Sequence, residues 1–238
     1  MSRFVTALLI SAAAFAANSS AFADEPVVSV SAGVKSQNLR FGGGRVVSEN
    51  AVLVTTGTIE YDSGFYGRFF STVGANEYDA ELDIGGGFVG ECLGTFRCRV
   101  EGTYWVLPNI DDVDDDAVNL AIEISRTYPL ADGQSLAFAA RFEDLTFFGP
   151  QDDTEIFRVS GNYVRPVAGV PIRFFAEYDY SVARDWAHLP VGISARFNPS
   201  WLPEGVSITP SLEFLIPLNH RDERETGVAF GLTLGRTR

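Results

Sequence analysis

The sequence predicts an all-β protein, an antiparallel transmembrane β-barrel of about twelve strands. Three observations carry this expectation. From Val28 onward apolar residues recur with a period of two and no stretch keeps a helical period, as expected of strands whose successive side chains point to opposite faces. Turn-forming residues punctuate the chain at short intervals. Within single strands the charged residues gather on one face and leave the other bare.

Composition agrees with this class and excludes others. The 238 residues are 46% hydrophobic and 21% charged, too apolar for disorder, with neither a collagen repeat nor a cysteine-dense scaffold. A net charge of −13 argues against nucleic acid as a partner, because phosphate tracking needs a basic surface. Lysine, the residue that commonly blunts exposed strand edges, occurs once, at Lys35, which fits a sheet without edges.

The elements follow in order. Residues 1–23 read as a signal peptide: Arg3, an apolar run from Phe4 to Ala17, then Ala21-Phe22-Ala23 as the small-x-small cleavage site. That run is shorter than the about 20 residues a spanning helix needs. The barrel domain is then 24–238. Its first strands are expected near 27–35, 51–61 and 65–73, the last two split by Asp62-Ser63-Gly64. At 78–90, Tyr78, Ala80, Leu82, Ile84 and Phe88 oppose Asp79, Glu81 and Asp83. At 96–107, Phe96, Cys98, Val100 and Tyr104 oppose Arg97, Arg99 and Glu101. Strands near 117–127 and 135–145 flank Ala131-Asp132-Gly133, and Arg141 and Glu143 share a face against Phe138, Ala140 and Phe142. Gly149-Pro150 and Pro166 bound a strand near 155–164. The strand near 171–180 sets Arg173, Glu177 and Asp179 against Ile172, Phe174, Ala176 and Tyr178. Strands near 188–197 and 206–216 flank Pro199 and Pro203-Glu204-Gly205, and the twelfth lies near 227–235. Pro190 and Pro210 fall inside two of these strands, where a missing donor requires a bulge or an edge.

Alternation alone does not say which face looks outward, since a soluble barrel turns its apolar face in. Twelve strands enclose more space than apolar side chains of this size fill, and the strand ends are rich in aromatics such as Tyr78, Tyr104, Tyr128 and Phe197, as at a lipid interface. The bare face is therefore expected to meet lipid, where a midplane arginine costs about 2–4 kcal/mol.

Val30-Ser-Ala-Gly-Val, Arg40-Phe-Gly-Gly-Gly, Tyr61-Asp-Ser-Gly-Phe-Tyr-Gly, Glu77-Tyr-Asp-Ala-Glu-Leu-Asp-Ile-Gly-Gly and Tyr104-Trp-Val-Leu-Pro108 together resemble the TorF-type porins of Gram-negative outer membranes. The resemblance covers roughly residues 28–108. It implies a barrel in contact with outer-membrane lipid and lipopolysaccharide, passing small polar solutes.

Other motifs have simpler readings. Gly85-Gly86-Gly87-Phe88-Val89-Gly90 matches a dinucleotide fingerprint, yet an alternating strand follows it and no helix N-terminus is available to hold a phosphate. Those glycines are expected to pack beside Tyr104 and Trp105 of the next strand. Cys92 and Cys98, the only cysteines, share parity across a turn at Thr95 and are expected to form a disulfide, with no metal site. Asp111, Asp112, Asp114, Asp115 and Asp116 lack the glycine and glutamate of a calcium loop and read as a solvated connection. His220 has no identifiable nucleophile beside it, so neither an enzyme nor a cofactor is expected; a barrel hydrolase and a plugged structural barrel are the alternatives.

With the mature N-terminus in the periplasm, 36–50, 74–77, 108–116, 146–154, 181–187 and 217–226 become external loops. Asp79, Glu81, Asp83, Glu143, Glu177, Asp179 and Glu213 then lie near the external mouth, and Arg97, Arg99, Arg173 and Arg196 near the periplasmic end. With Arg68, Glu101 and Arg141 these form the expected pore lining. A passive, mildly cation-preferring channel with an acidic vestibule follows from that distribution.

Overall fold

Twelve strands close on themselves in the computed structural model, each antiparallel to both neighbours. Residues 25–40, 45–48, 50–74, 80–106, 116–149, 152–183, 185–219 and 226–237 are described. The barrel strands are β1 (Val27–Lys35), β4 (Val52–Glu60), β5 (Phe65–Val73), β6 (Glu81–Cys92), β7 (Phe96–Val106) and β8 (Ala117–Pro129). They continue as β9 (Ser135–Phe147), β10 (Thr154–Val167), β11 (Val170–Ser181), β12 (Trp186–Ala195), β13 (Val206–Pro217) and β14 (Gly227–Thr237). Neighbours on the barrel are neighbours in sequence, except at the seam where β1 meets β14 from Ser29↔Thr237 to Lys35↔Gly231. The expected strands are all present, and one feature is added. The connection from β1 to β4 carries a short hairpin of β2 (Asn38–Arg40) and β3 (Arg45–Ser48).

Connections are on the whole shorter at one end than at the other. The start of β1 and the end of β14 share one end, here the turn end, with turns of two to five residues and the ten-residue connection 196–205; the connections at the other, the loop end, run from four residues to more than ten. Val167 pairs with Val170 across Ala168-Gly169, both at positive φ (50° and 81°), so two residues reverse the chain with the twist the flanking strands need. Pro190 and Pro210 each sit beside a gap on one side of the ladder and are paired, with Leu215 and Leu232, on the other. Between Ala176↔Val191 and Asp179↔His188 the β11–β12 pairing is interrupted, and Pro190 lies there. Pro210 lies between the Ser194↔Ser211 pair and the isolated Phe197↔Ile208 bridge. Neither position requires the missing N–H.

The two faces are inverted relative to a soluble barrel. Outward-pointing Ile122 and Val159 are 59% and 58% exposed, whereas inward-pointing Glu101 and Glu143 are 2% and 1% exposed. Around the outside, aromatic pairs such as Phe142–Phe157 and Tyr163–Phe174 lie side by side on adjacent strands. Such an exterior is favourable against hydrocarbon and unfavourable against water. Inside, apolar packing among the described residues is confined to two small clusters toward the loop end. One joins Ala117, Leu145, Phe147 and Ile156 with Trp105, and the other joins Leu39 of β2 with Leu215 and Ala229.

The cysteines are bonded, with Cα atoms 5.8 Å apart. Their placement differs in detail from an opposed pair. The turn comprises Leu93, Gly94 and Thr95, so Cys92 pairs with Phe96 and Cys98 with Gly90, and the disulfide runs diagonally at the turn end. The triple glycine also has other neighbours than expected. Gly85, Gly86 and Gly87 face Thr103, Gly102 and Glu101, while Tyr104 and Trp105 face Ile84 and Asp83. Aromatic cover of glycine occurs instead at Gly57 beneath Phe69 and at Gly192 beneath Phe175.

Candidate channel lumen

One transverse row of pairs crosses six strands: Arg99↔Glu123↔Arg141↔Arg158↔Asp179↔His188. Period-two alternation aims these side chains inward on β7 to β12. The like charges of Arg141 and Arg158 stand opposite each other, an arrangement that is destabilising unless a carboxylate is shared. Glu143 supplies it. Arg141 Nε donates to Glu143 Oε1 at 2.6 Å, Arg158 Nη2 lies 3.3 Å from the same oxygen, and Asn119 Nδ2 donates to Oε2 at 2.9 Å.

Glu101 has a parallel role one layer along. It accepts from Tyr66 Oη at 2.6 Å and from Arg141 Nη2 at 2.8 Å, and Arg68 Nη2 approaches to 3.5 Å. Arg99 lies over the Tyr66 ring, 5.3 Å from its centroid. Opposite Tyr66 and Glu101 stands Gly87, where an added Cβ would come within 1.9 Å of the Val100 carbonyl oxygen. The bare backbone of β6 is therefore a floor across which these long side chains meet.

The remaining strands present a different wall. Ser29, Ser31, Thr56, Thr209, Ser211 and Thr233, from β1, β4, β13 and β14, are short and uncharged and line the interior. Ser31 Oγ and Thr56 Oγ1 are hydrogen-bonded at 2.7 Å. Charge crosses this wall at one height. Lys35 on β1 passes over Gly231 on β14 to reach Glu213 on β13, with Nζ 2.8 Å from Oε2.

Three cavities lie in file, the second and third along the hydroxyl wall. The first, about 370 Å³, lies between the charged network and Lys35, Val54 and Phe70. A second, about 360 Å³, shares those three residues and adds Arg173, Phe175 and Glu213. The third, about 340 Å³, shares Ser31, Thr56, Thr209 and Thr233 with the second and ends beside Arg196 and Arg236 at the turn end.

Of the residues expected to line a pore, Arg68, Glu81, Asp83, Arg141, Glu143 and Glu177 border the first cavity. Arg173 and Glu213 border the second, and Arg196 the third. Glu101 and Asp179 are instead enclosed by their cationic partners: Asp179 is 2% exposed, and Arg158 Nε lies 3.7 Å from it. Arg97 points inward close to the turn end, paired with Glu91 and Ser125. Asp79, Asp111, Asp112, Asp114, Asp115 and His220 lie outside the described residues; Asp116 accepts a hydrogen bond from Tyr104 Oη at 2.6 Å. Sequence reasoning passed over Lys35, Glu123 and Arg158. The signal was available, because each has the inward parity of its strand.

No protein-family model matches the sequence, and no curated protein matches it. Solved structures do. The KdgM porin superposes with a TM-score of 0.59 at 8% identity, over 87% of this chain and 98% of that one. The NanC porin gives 0.57 at 8% identity, over 88% and 98%. The β domain of the Bordetella autotransporter BrkA gives 0.50 at 10% identity, over 90% and 100%. At such identities the likeness is one of fold, and that fold carries more than one function.

Proposed function

We propose that the protein is an outer-membrane channel for passive diffusion of small polar solutes, made with a signal peptide over residues 1–23 and needing no cofactor. The observation that carries this reading is the file of three cavities, the first beside the charged network and the other two along the hydroxyl wall, each sharing lining residues with the next. Serine and threonine side chains exchange hydrogen bonds with water and with hydroxylated solutes at little cost, as a passage without a tight site requires. The inverted exterior supports a membrane location, and the resemblance of residues 28–108 to TorF-type porins, like the fold shared with KdgM and NanC, supports the channel class. A mild cation preference is part of the proposal, because the first cavity is bordered by Glu81, Asp83, Glu123, Glu143 and Glu177 against Lys35, Arg68, Arg141 and Arg158.

The ion-paired network that fills the other half of the interior favours a second reading, a plugged barrel of structural use only. Single-channel recording in a planar bilayer separates the two. Discrete conductance steps from purified, refolded protein support the channel. A folded protein, shown by heat-modifiable migration in detergent gels, that leaves the bilayer silent supports the plugged barrel.

A further inference from the structure

Three residues, Lys35, Val54 and Phe70, border both the first and the second cavity and so form the partition between them. They come from β1, β4 and β5, which are consecutive around the barrel. Lys35 is also the sole lysine of the chain, and its ammonium is held 2.8 Å from the carboxylate of Glu213, a border of the second cavity. Both partners keep some contact with the void, their side chains being 25% and 11% exposed. On the loop-end side, Leu39 of the β2–β3 hairpin borders the first cavity next to Lys35 and packs on Leu215, two residues from Glu213 along β13.

We infer that the Lys35–Glu213 pair and Phe70 form the neck of the passage, with the ion pair setting charge selectivity and Phe70 setting bore. This deepens the channel reading and rests on it. A solute passing from the first cavity to the second must cross the partition, where Lys35 and Glu213 face each other and Arg173 lies within electrostatic reach of Glu213. In so narrow a place, removing Lys35 shifts the local charge by one unit toward negative and removing Glu213 shifts it by one unit toward positive. The two partners therefore act with opposite sign, which no merely structural role would produce.

The test is reversal potential under a potassium chloride gradient at low salt, on refolded protein with heat-modifiable migration. Lys35→Met is expected to raise the cation-to-anion permeability ratio about threefold and Glu213→Gln to lower it by a similar factor. Glu123→Gln, a carboxylate on the first cavity away from the partition, is expected to shift it less than Glu213→Gln. Phe70→Ala is expected to increase conductance while leaving the ratio unchanged. Because lysine occurs once, the wild type can also be altered after folding. Acetylation with a membrane-impermeant amine reagent is expected to reproduce the Lys35→Met ratio, and Lys35→Arg is expected to be insensitive to the reagent. Opposite shifts together with reagent sensitivity confined to Lys35 support the neck. Shifts of the same sign, no shift, or equal reagent sensitivity in Lys35→Arg overturn the neck and leave the channel standing. A folded wild type without conductance overturns the channel reading and the neck with it.

Discussion

The two walls of the barrel interior are built from the same alternation and differ in reach. On β5 to β11 the inward residues include the long, charged side chains. They extend across neighbouring strands until Glu101 and Glu143 each serve several donors, as Glu143 serves Arg141, Arg158 and Asn119. On β1, β4, β13 and β14 they are mostly serine, threonine and glycine, which reach no farther than an adjacent hydroxyl, as Ser31 does to Thr56. Two of the three cavities lie against the second wall, while the first is bordered by the charged residues themselves. Strand number sets the circumference, then, and side-chain length and charge decide what lines each part of the space left open.

The sharpest way to break this contrast is to remove a shared carboxylate. Glu143→Ala leaves Arg141 without its 2.6 Å partner and Arg158 without its 3.3 Å contact in a place that is almost fully buried. Arg141 keeps Glu101 at 2.8 Å and Arg158 keeps Asp179 at 3.7 Å, so the loss is expected to be about 2–3 kcal/mol, below the about 3–5 kcal/mol of a wholly unpaired buried charge. Ser31→Ala, by comparison, removes one hydroxyl pair and should cost about 1 kcal/mol. Urea unfolding in detergent micelles, followed by heat-modifiable migration, should give losses in that order; equal losses would mean that the network does not hold the charged wall together.

Next in size is the covalent clamp on the same side of the barrel. A disulfide closing so short a segment, with a sequence separation of 6, is expected to contribute about 2 kcal/mol by chain entropy. Reductant should lower the urea midpoint correspondingly and leave a Cys92→Ser/Cys98→Ser variant unaffected. Thiol titration of unfolded wild type prepared without reductant should find none. Two titratable thiols would remove the clamp from the account.

How much of this was legible in the sequence follows from the range of each signal. Strand positions and the inward parity of Asp83, Arg99, Glu101, Arg141 and Asp179 are local properties, carried by alternation and by turns such as Asp132-Gly133. The division into two walls is not local. It depends on which residues of separate strands share a row, and Arg99, Glu123, Arg141, Arg158 and Asp179 are aligned by four turns and connections whose lengths do not reveal register. The turn expected at Pro166 lies two residues further on, at Ala168-Gly169, and Pro166 is part of β10, paired with Pro171; alanine at positive φ has no compositional mark. The β2–β3 hairpin was missed because three and four residues are too few to show a period. The cysteines were paired correctly but placed opposite each other, since a three-residue turn shifts the register from the one that Thr95 suggested.

A smaller effect sharpens the contrast from the empty side. Thr56 borders both the second and the third cavity. Thr56→Phe places a ring where only a hydroxyl and a methyl stood and should reduce single-channel conductance about twofold or more, as a side chain projecting into a pore narrows it. Ala121→Ser, a similarly inward position that is 3% exposed within the charged wall, should leave conductance unchanged. Equal conductance in all three proteins would place the passage somewhere other than along the hydroxyl wall.

The smallest expected effect concerns selectivity, because the charged wall largely neutralises itself. Glu101 and Glu143 bring negative charge to the interior, but Arg68, Arg141 and Arg158 lie within 3.5 Å of one or the other. What remains to act on a passing ion is the surplus near the loop end, where Glu81 and Asp83 border the first cavity, opposed by Arg173 and Arg196 further along the file. Confinement focuses that surplus, so a reversal potential under a potassium chloride gradient should show potassium mildly favoured. Salt should erase the preference, since the Debye length falls from about 30 Å at 0.01 M to about 3 Å at 1 M. Asp79→Asn/Glu81→Gln/Asp83→Asn should abolish it at low salt without altering conductance at high salt. A wild type that favours chloride, or a triple variant that keeps the potassium preference, would show that these carboxylates do not face the ion path, and that the charged wall is a filling for half the barrel with no part in choosing what passes the other half.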